Sequence, residues 1–362
     1  MAVVNSKQTA SFKTERINKS TFLVVEDDAF REHPFIYVKI HPKAPIIVLS
    51  DTGCDEPSAK SKNADFTHLR DYLENFPIKS NSKKPLNPGG HRQYYIICTH
   101  CHYDHIGGIS QFLEGGRTEI IASAAGKDFI ESDLEAHGLF KYIDKVAPYY
   151  QVTHWAQAWE RLQCPIQHHN DDYTVQARKP IDLGMTFIHT PGHTQDELAW
   201  YDHDEMHVYV GDSLYEEGED GMAIEFPAEG SFVEWAFAMH KVQYLVRGEN
   251  ARSAARAEKE DDDGWCQVAK RVKLAAGHQT HSADAEPFLE KVGQFWWDTL
   301  AGKVPVIKKQ YKRGEAYYTW REKDGKSGLS FHAPARLMDE ARKFFEGTGV
   351  FATGHLGSDF PG

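Results

Sequence analysis

The stretch Thr99-His100-Cys101-His102-Tyr103-Asp104-His105-Ile106-Gly107-Gly108 follows directly on the apolar run Tyr94-Tyr95-Ile96-Ile97-Cys98. The run reads as a buried strand, so the polar side chains sit at its C-terminal edge. Strand ends and the loops after them are where α/β proteins put their chemistry. His100 and His102 are two apart and point the same way on an extended segment. Asp104 and His105 come next, and Gly107-Gly108 lets the chain turn tightly into a helix. Neutral imidazole and carboxylate are the ligands that borderline metals such as Zn²⁺ take in hydrolytic sites. Histidine makes up 20 of 362 residues, so three histidines and an aspartate within six positions stand far above background and mark a metal loop.

The rest of the chain is ordinary in bulk. Hydrophobic residues are 41% and charged residues 26%, the balance of a soluble globular protein. A net charge of −12 offers no electrostatic footprint for a nucleic-acid backbone. Two short basic clusters, Lys79 to Lys84 and Lys303 to Arg313, read as solvated charge runs. The five cysteines (Cys54, Cys98, Cys101, Cys164, Cys266) are odd in number and irregular in spacing, which argues against a disulfide scaffold. The first residues have no signal-peptide core, and no apolar run approaches ~18 residues. A cytoplasmic protein without a membrane partner is expected.

Residues 1–20 are polar and are expected to be loose. Strands are predicted at Ser20 to Val25, Phe35 to Ile40 and Ile46 to Gly53, the last ending in a turn. Helical spacing marks Asp65 to Phe76, and Pro77 to Arg92 reads as an exposed loop. After the metal loop, a helix is expected over Ile106 to Leu113 and a strand over Thr118 to Ala122. Residues 123–175 hold many aromatics (Phe129, Phe140, Tyr142, Tyr149, Tyr150, Trp155, Trp159) and suggest a helix-rich wall beside a pocket.

The second half repeats the grammar of the first. Met185 to Thr190 is a strand that turns at Pro191-Gly192-His193. Leu198 to Tyr201 and Met206 to Val210 are strands joined by a polar turn, and the second ends at Gly211-Asp212. Phe232 to Leu245 is helical, and Gly248 to Gly264 is a charged surface excursion. Val268 to Ala276 is a strand candidate ending at Gly277-His278. Ala285 to Leu300 is a helix, Tyr317 to Phe331 a hairpin and Ala335 to Phe345 a final helix. This order suggests two sheets packed face to face under helices. We read residues 20–300 as one composite hydrolase domain, with 301–362 as an extension packed on it.

Each late turn carries a further ligand-type side chain just after a strand. Two sets of ligands result: His100, His102 and His193 for one metal, and Asp104, His105 and His278 for a second, with Asp212 bridging. Two metals ~3.5–4 Å apart hold a hydroxide and polarise the carbonyl it attacks. No GxSxG elbow, Walker glycine loop or dinucleotide fingerprint competes as a source of chemistry. His189, His203, His207, His154, His168, His169 and His281 have no matching place in this pattern; His189 reads as a buried supporting residue.

The set resembles the metallo-β-lactamase superfamily. HxHxDH stands as His100-Cys101-His102-Tyr103-Asp104-His105, followed in order by Thr190-Pro191-Gly192-His193-Thr194, Gly211-Asp212 and Gly277-His278 over roughly residues 20–280. The resemblance implies an αββα sandwich within the α/β class, two zinc ions per chain and hydrolysis. Asp104, counted among both the ligands and the catalytic groups, resembles members that keep both metals, such as glyoxalase II-like thioesterases and lactonases. Tyr215, three residues after Asp212, resembles a tyrosine that contacts the substrate carbonyl in N-acyl homoserine lactonases. The helical insertions and C-terminal stretch depart from minimal lactonases and suggest an enclosed aromatic pocket. The general look of the chain is similar to fungal members.

The expected activity is opening of a small cyclic acyl substrate, a lactam first and a lactone next, in detoxification of a foreign compound. A glyoxalase II-type acyl thioesterase is the alternative, with Lys308, Lys309, Lys312 and Arg313 available for the thiol carrier. A nuclease and a flavodiiron-like oxidoreductase rank lower, given the acidic charge and the lack of a flavodoxin-like segment. The expected partner is a small acyl molecule, with no nucleic acid and no membrane; the oligomeric state is left open, a homodimer included.

Overall fold

Period-two alternation of apolar residues builds the first sheet. In the computed structural model, residues 8–115, 118–164, 180–218, 221–259, 268–323 and 325–347 are described. The chain divides into two compact units, Met1–His189 with Leu198–Gly211, and Thr190–Glu197 with Asp212–Gly362.

In the first unit, β1 (Phe12–Arg16), β2 (Thr21–Glu26), β3 (Phe35–Ile40), β4 (Ile46–Ser50), β5 (Gln93–Ile97), β6 (Thr118–Ser123) and β7 (His154–Ala156) lie side by side in sequence order. The pairs from β1 to β4 are antiparallel, and those from β4 to β7 are parallel. One face carries Phe22, Val24, Ile36, Val38, Ile47, Leu49 and Ile96 into a core with α1 (Leu69–Asn75) and the metal-loop residues Ile106 and Ile109. On β3 the alternate residues Tyr37 and Lys39 face the other way. They meet the second layer: β8 (Arg161–Cys164), β9 (Ile181–His189), β10 (Leu198–Asp202) and β11 (His207–Tyr209), antiparallel neighbours in order. Tyr37 packs edge-on against Tyr209, and Trp200 Nε1 donates to Ser50 Oγ at 3.1 Å. The expected face-to-face packing of two sheets is present within this unit.

The helix expected over Ile106 to Leu113 is a 3₁₀ turn, preceded by a short α-helix. α2 covers Tyr103–Ile106, and a 3₁₀ turn continues over Gly107–Phe112. The cause is close backbone approach: a Cβ on Gly107 would lie 2.5 Å from the Cys54 carbonyl oxygen, and one on Gly108 2.5 Å from that of Thr52. Of residues 123–175, the described part to 164 holds α3 (Lys127–Ser132), α4 (Leu134–His137) and a 3₁₀ turn at Phe140–Tyr142, then β7 and β8 rather than more helix; 165–175 lie outside the described residues. Phe129 and Phe140 are buried; Tyr149 is 85% exposed and lines no core. His168 and His169 fall outside the described residues. The N-terminal segment expected to be loose contains β1, whose Phe12 enters the core while the charged residues around it face out.

In the second unit, β12 (Ile224–Glu225) and α5 (Phe232–Lys259) come first. α5 runs through most of the segment expected to be a surface excursion. Ala251, Ala254, Ala255 and Ala257 favour helix despite low hydrophobicity, and Glu249 and Arg252 pair one turn apart. Residues 260–264 of that expectation lie outside the described residues. β13 (Lys273–Ala275) and β14 (Ala283–Asp284) form an antiparallel pair ahead of α6 (Ala285–Leu300). β15 (Val306–Lys312), expected only as a charge run, pairs with β16 (Glu315–Arg321), and β16 pairs with β17 (Ser330–Pro334) before α7 (Ala335–Gly347). The order is β12-β17-β16-β15, with β12 and β17 parallel. Trp320 and Phe331 point to the helices, where Phe232, Trp296 and Phe345 stack. Among the described residues Cys54, Cys98, Cys101 and Cys164 are buried and form no disulfide; Cys266 is outside the described residues.

Lys39 and Asp202 form a fully buried ion pair between the two layers of the first unit. Asp202 Oδ1 also accepts the backbone N–H groups of Asp204 and Glu205, fixing the β10–β11 turn. Removing one buried partner strands the other charge, so Lys39→Met is expected to cost about 3–5 kcal/mol. Adding Asp202→Asn, which removes the stranded charge and keeps the Oδ1 acceptor for Asp204 and Glu205, should return most of it. Urea unfolding midpoints test this, and a single variant within about 1 kcal/mol of the native chain would sink the idea.

Candidate metal centre

The first unit presents four polar side chains from one loop. β5 ends at Ile97, and Thr99 then donates its N–H to Asp51 Oδ1 and its hydroxyl to Asp51 Oδ2, both at 2.8 Å. His105 Nδ1 lies 3.0 Å from the same Oδ2. With Asp51 accepting from Nδ1–H, the Nε2 lone pair of His105 is directed inward, and that nitrogen lies 3.4 Å from Asp104 Oδ2. His100 Nε2 and His102 Nδ1 converge to 3.0 Å, and the rings of His100 and His105 lie 4.0 Å apart. All four are buried: His100 is 1% exposed, His102 5%, Asp104 6% and His105 0%. Burial of so many polar groups in one place is costly unless they share partners, and these are residue types that hold a metal ion.

The second unit presents the rest. Thr190–Glu197 is a loop closed by Thr190 N–H donating to the Glu197 carbonyl. Gly192 sits at φ +149 with its missing Cβ only 2.3 Å from Trp235 Cβ, so no other residue fits the turn. His193 follows, and its Nδ1 meets the Glu225 carbonyl at 2.7 Å. That contact leaves Nε2 for the interior, where it lies 3.9 Å from Asp212 Oδ2. His278 Nε2 lies 3.4 Å from the same oxygen. One carboxylate thus stands between two imidazoles. Glu197 Oε1 accepts the Asp212 N–H at 2.9 Å. Tyr215 packs edge-on against His278 at 5.7 Å, and its hydroxyl donates to the Ala223 carbonyl at 2.9 Å.

Every candidate ligand named from the sequence is therefore buried in one of two clusters. The residues that orient them were not anticipated. Asp51 was placed only in a turn, although an aspartate just after an apolar strand and before a glycine is a readable signal. Its φ of +67 is the left-handed region. Burial lifts its pKa, and the contacts from His105 and Thr99 pull it back. Glu26 supports the same turn. Its Oε2 accepts the Cys54 N–H at 2.7 Å, and burial pushes its carboxyl up to about 8. Glu225 contributes only a carbonyl, which no residue-type signal could have announced. The remaining histidines have other work: His203 Nε2 meets Thr186 Oγ1 at 2.8 Å, and His207 stacks on Tyr209.

Asp51→Asn can hold His105 only with a weaker acceptor. Loss of such an orienting partner typically lowers metal affinity 10–100-fold, and that fall is expected here by competition with a chromophoric chelator. Unchanged affinity would mean that His105 does not ligate.

Comparison with known proteins identifies the family. Residues 48–255 fit the family described as the Metallo-beta-lactamase superfamily. The protein "Putative transcription factor avaE" of Aspergillus versicolor is 30% identical over 348 residues, 94% of this chain and 91% of that one. "Acyl-coenzyme A thioesterase MBLAC2" of Bos taurus is 26% identical over 153 residues, 40% of this chain and 45% of that one. A solved superfamily protein from Sulfolobus tokodaii aligns with TM-score 0.48 and 16% identity over 82% of this chain and 91% of that one. A buried HxHxDH loop, the later histidines and aspartate, and a family match over more than half its length lead to one conclusion: the chain belongs to the metallo-β-lactamase superfamily.

Proposed function

We propose that this protein is a zinc-dependent hydrolase that opens a small cyclic acyl compound, a lactam in preference to a lactone. In this reading His100, His102 and His193 hold one ion, Asp104, His105 and His278 a second, and Asp212 both. The observation that carries it is the donor set. Buried imidazoles have one nitrogen tied to the protein, and a carboxylate stands between two of them. This is the chemistry that suits Zn²⁺. When bound, the ions would supply a nucleophile near neutral pH and polarise the carbonyl under attack.

The chain's own residues have distinct parts. Asp51, Glu225 and Glu197 hold ligands in place. Asp104, buried with one carboxylate oxygen 3.4 Å from His105 Nε2, can also orient attacking water and take its proton. Tyr215 would touch the substrate carbonyl only by giving up Ala223; bracing His278 requires no change. A cavity of about 180 Å³ in the first unit, lined by Phe30, Cys54, Tyr103, Phe140, Ile143 and Val146 among others, starts at the ligand loop. Its walls are mixed, with Asp55, Glu56, Ser110 and Lys145 beside these groups, and Tyr103 and Gly107 join it to the ligand loop.

A thioesterase remains the second reading, favoured by the partial likeness to an acyl-coenzyme A thioesterase. The name of the Aspergillus versicolor relative suggests DNA binding, which the net charge of −12 disfavours for this chain.

The test is a panel of lactams, lactones and thioesters, with metal analysis on the same sample. Opening of a lactam or lactone with about two zinc ions per chain is expected. Cleavage of thioesters alone would replace the leading reading with the second. Asp212→Ala should lose metal and turnover together, and retained turnover would sink both. Tyr215→Phe should keep kcat within a few-fold; a loss near the ~10²-fold of a missing oxyanion donor would give Tyr215 the substrate carbonyl.

A further inference from the structure

One face of the C-terminal sheet is covered by helices, and the other is built for something else. Direct register partners share a face. Glu225 on β12 pairs with His332 on β17, His332 with Thr319 on β16, and Thr319 with Lys308 on β15. These four residues form a single row across the sheet. Beside it, Tyr317 stands opposite Gln310, and Lys312 opposite Glu315. Trp320 and Phe331, one position along, point to the helices.

The row begins at the candidate metal centre. Glu225 gives its carbonyl to His193 Nδ1, so the strand that orients a ligand also ends this face. At ~4.8 Å per strand, Lys308 lies on the order of 14 Å from that strand. Lys312 reaches back towards it, with Nζ 4.6 Å over the Tyr317 ring and 3.9 Å from Glu225 Oε2.

The face is rich in donors. The Tyr317 hydroxyl is buried with no hydrogen-bond partner, and Tyr317 is 1% exposed. An unmet buried hydroxyl costs ~1–3 kcal/mol, a cost that an acceptor would remove. Lys308 and Lys312 add two ammonium groups. Both lie near enough to His332, together with its burial, to lower its pKa to about 4, so that ring stays neutral and bonds Thr319. Carboxylates are present as well. Arg336 engages Glu315 and Lys312 engages Glu225, while Glu229 also acts on Tyr317 and Arg313 opposes it. Lysine and arginine still outnumber them here, in a chain that is acidic as a whole.

We infer that this face is an anion-binding subsite, in which Lys308, Lys312 and Tyr317 take a carboxylate or phosphate group. Lys312, part-exposed and flexible, would swing from Glu225 onto the incoming anion and uncover the Tyr317 hydroxyl. This deepens the hydrolase reading and rests on it for one point: the anion belongs to the molecule whose acyl bond is opened, on the side of His193.

Calorimetry on the zinc-loaded full chain tests the site, with inorganic phosphate and succinate as separate titrants. Binding of at least one is expected, and the stronger of the two names the source. The double variant Lys308→Ala/Lys312→Ala should weaken it about 10-fold or more, and Tyr317→Phe several-fold. Lys309→Ala, on the helix-covered face, should leave it unchanged. Affinity that survives the double variant would place the anion on the metals. An equal loss in Lys309→Ala would reduce the effect to general charge, and binding of neither anion would leave no subsite; each of these overturns the inference. On any substrate found by the panel, the double variant should raise KM for an anionic compound and spare its neutral ester. If no acyl bond in the panel is opened, the hydrolase reading fails while the calorimetry still decides this site.

Discussion

The structure depends on how buried imidazoles are held. A histidine taken out of water loses solvation at both ring nitrogens, and the protein satisfies one while directing the other inward. Asp51 does this for His105, Thr99 for His100 and the Glu225 carbonyl for His193. Each anchor comes from a different element: the turn after β4, the end of β5 and strand β12. The sheets therefore do more than form a core. Their ends fix which nitrogen of each ring faces its cluster, and that choice decides whether a divalent ion can be held.

Legibility followed from contiguity. His100, His102, Asp104 and His105 are crowded into one loop, and the later candidates each follow a strand at a glycine turn, so residue type and spacing were enough to name them. The anchors are scattered. Asp51 and Glu26 are single carboxylates next to ordinary apolar strands, and a backbone carbonyl carries no residue-type signal at all. The fold shows the same division. Strands with β-branched runs, such as Ile46 to Leu49, are plain, and α6 shows its buried stripe at Phe288, Val292, Phe295 and Trp296. β1 has one core residue among charges, and β15 carries three lysines and a glutamine in seven residues, so both hide as polar segments. α5 continues past Leu245 on alanine and local ion pairs, where hydropathy alone predicts coil.

The C-terminal sheet belongs to the same argument. Its helix-covered face is aromatic packing of Trp320, Phe331, Phe232 and Trp296. Its other face ends at the residue that orients His193. A segment that composition marks as a basic tail is thus a wall of the second unit, joined to the ligands by one short parallel strand pair.

Gly192 leaves no lateral slack. The turn that delivers His193 lies flat against the first turn of α5, with Trp235 filling the space that any side chain would need. Trp235 in turn donates its indole N–H to the Ser213 carbonyl, beside Asp212. One tryptophan therefore sets the position of two candidate ligands at once. Diversification of this chain is confined accordingly: new substrates can be reached by recutting the walls, while the pair His193 and Asp212 moves only if the long helix moves with it.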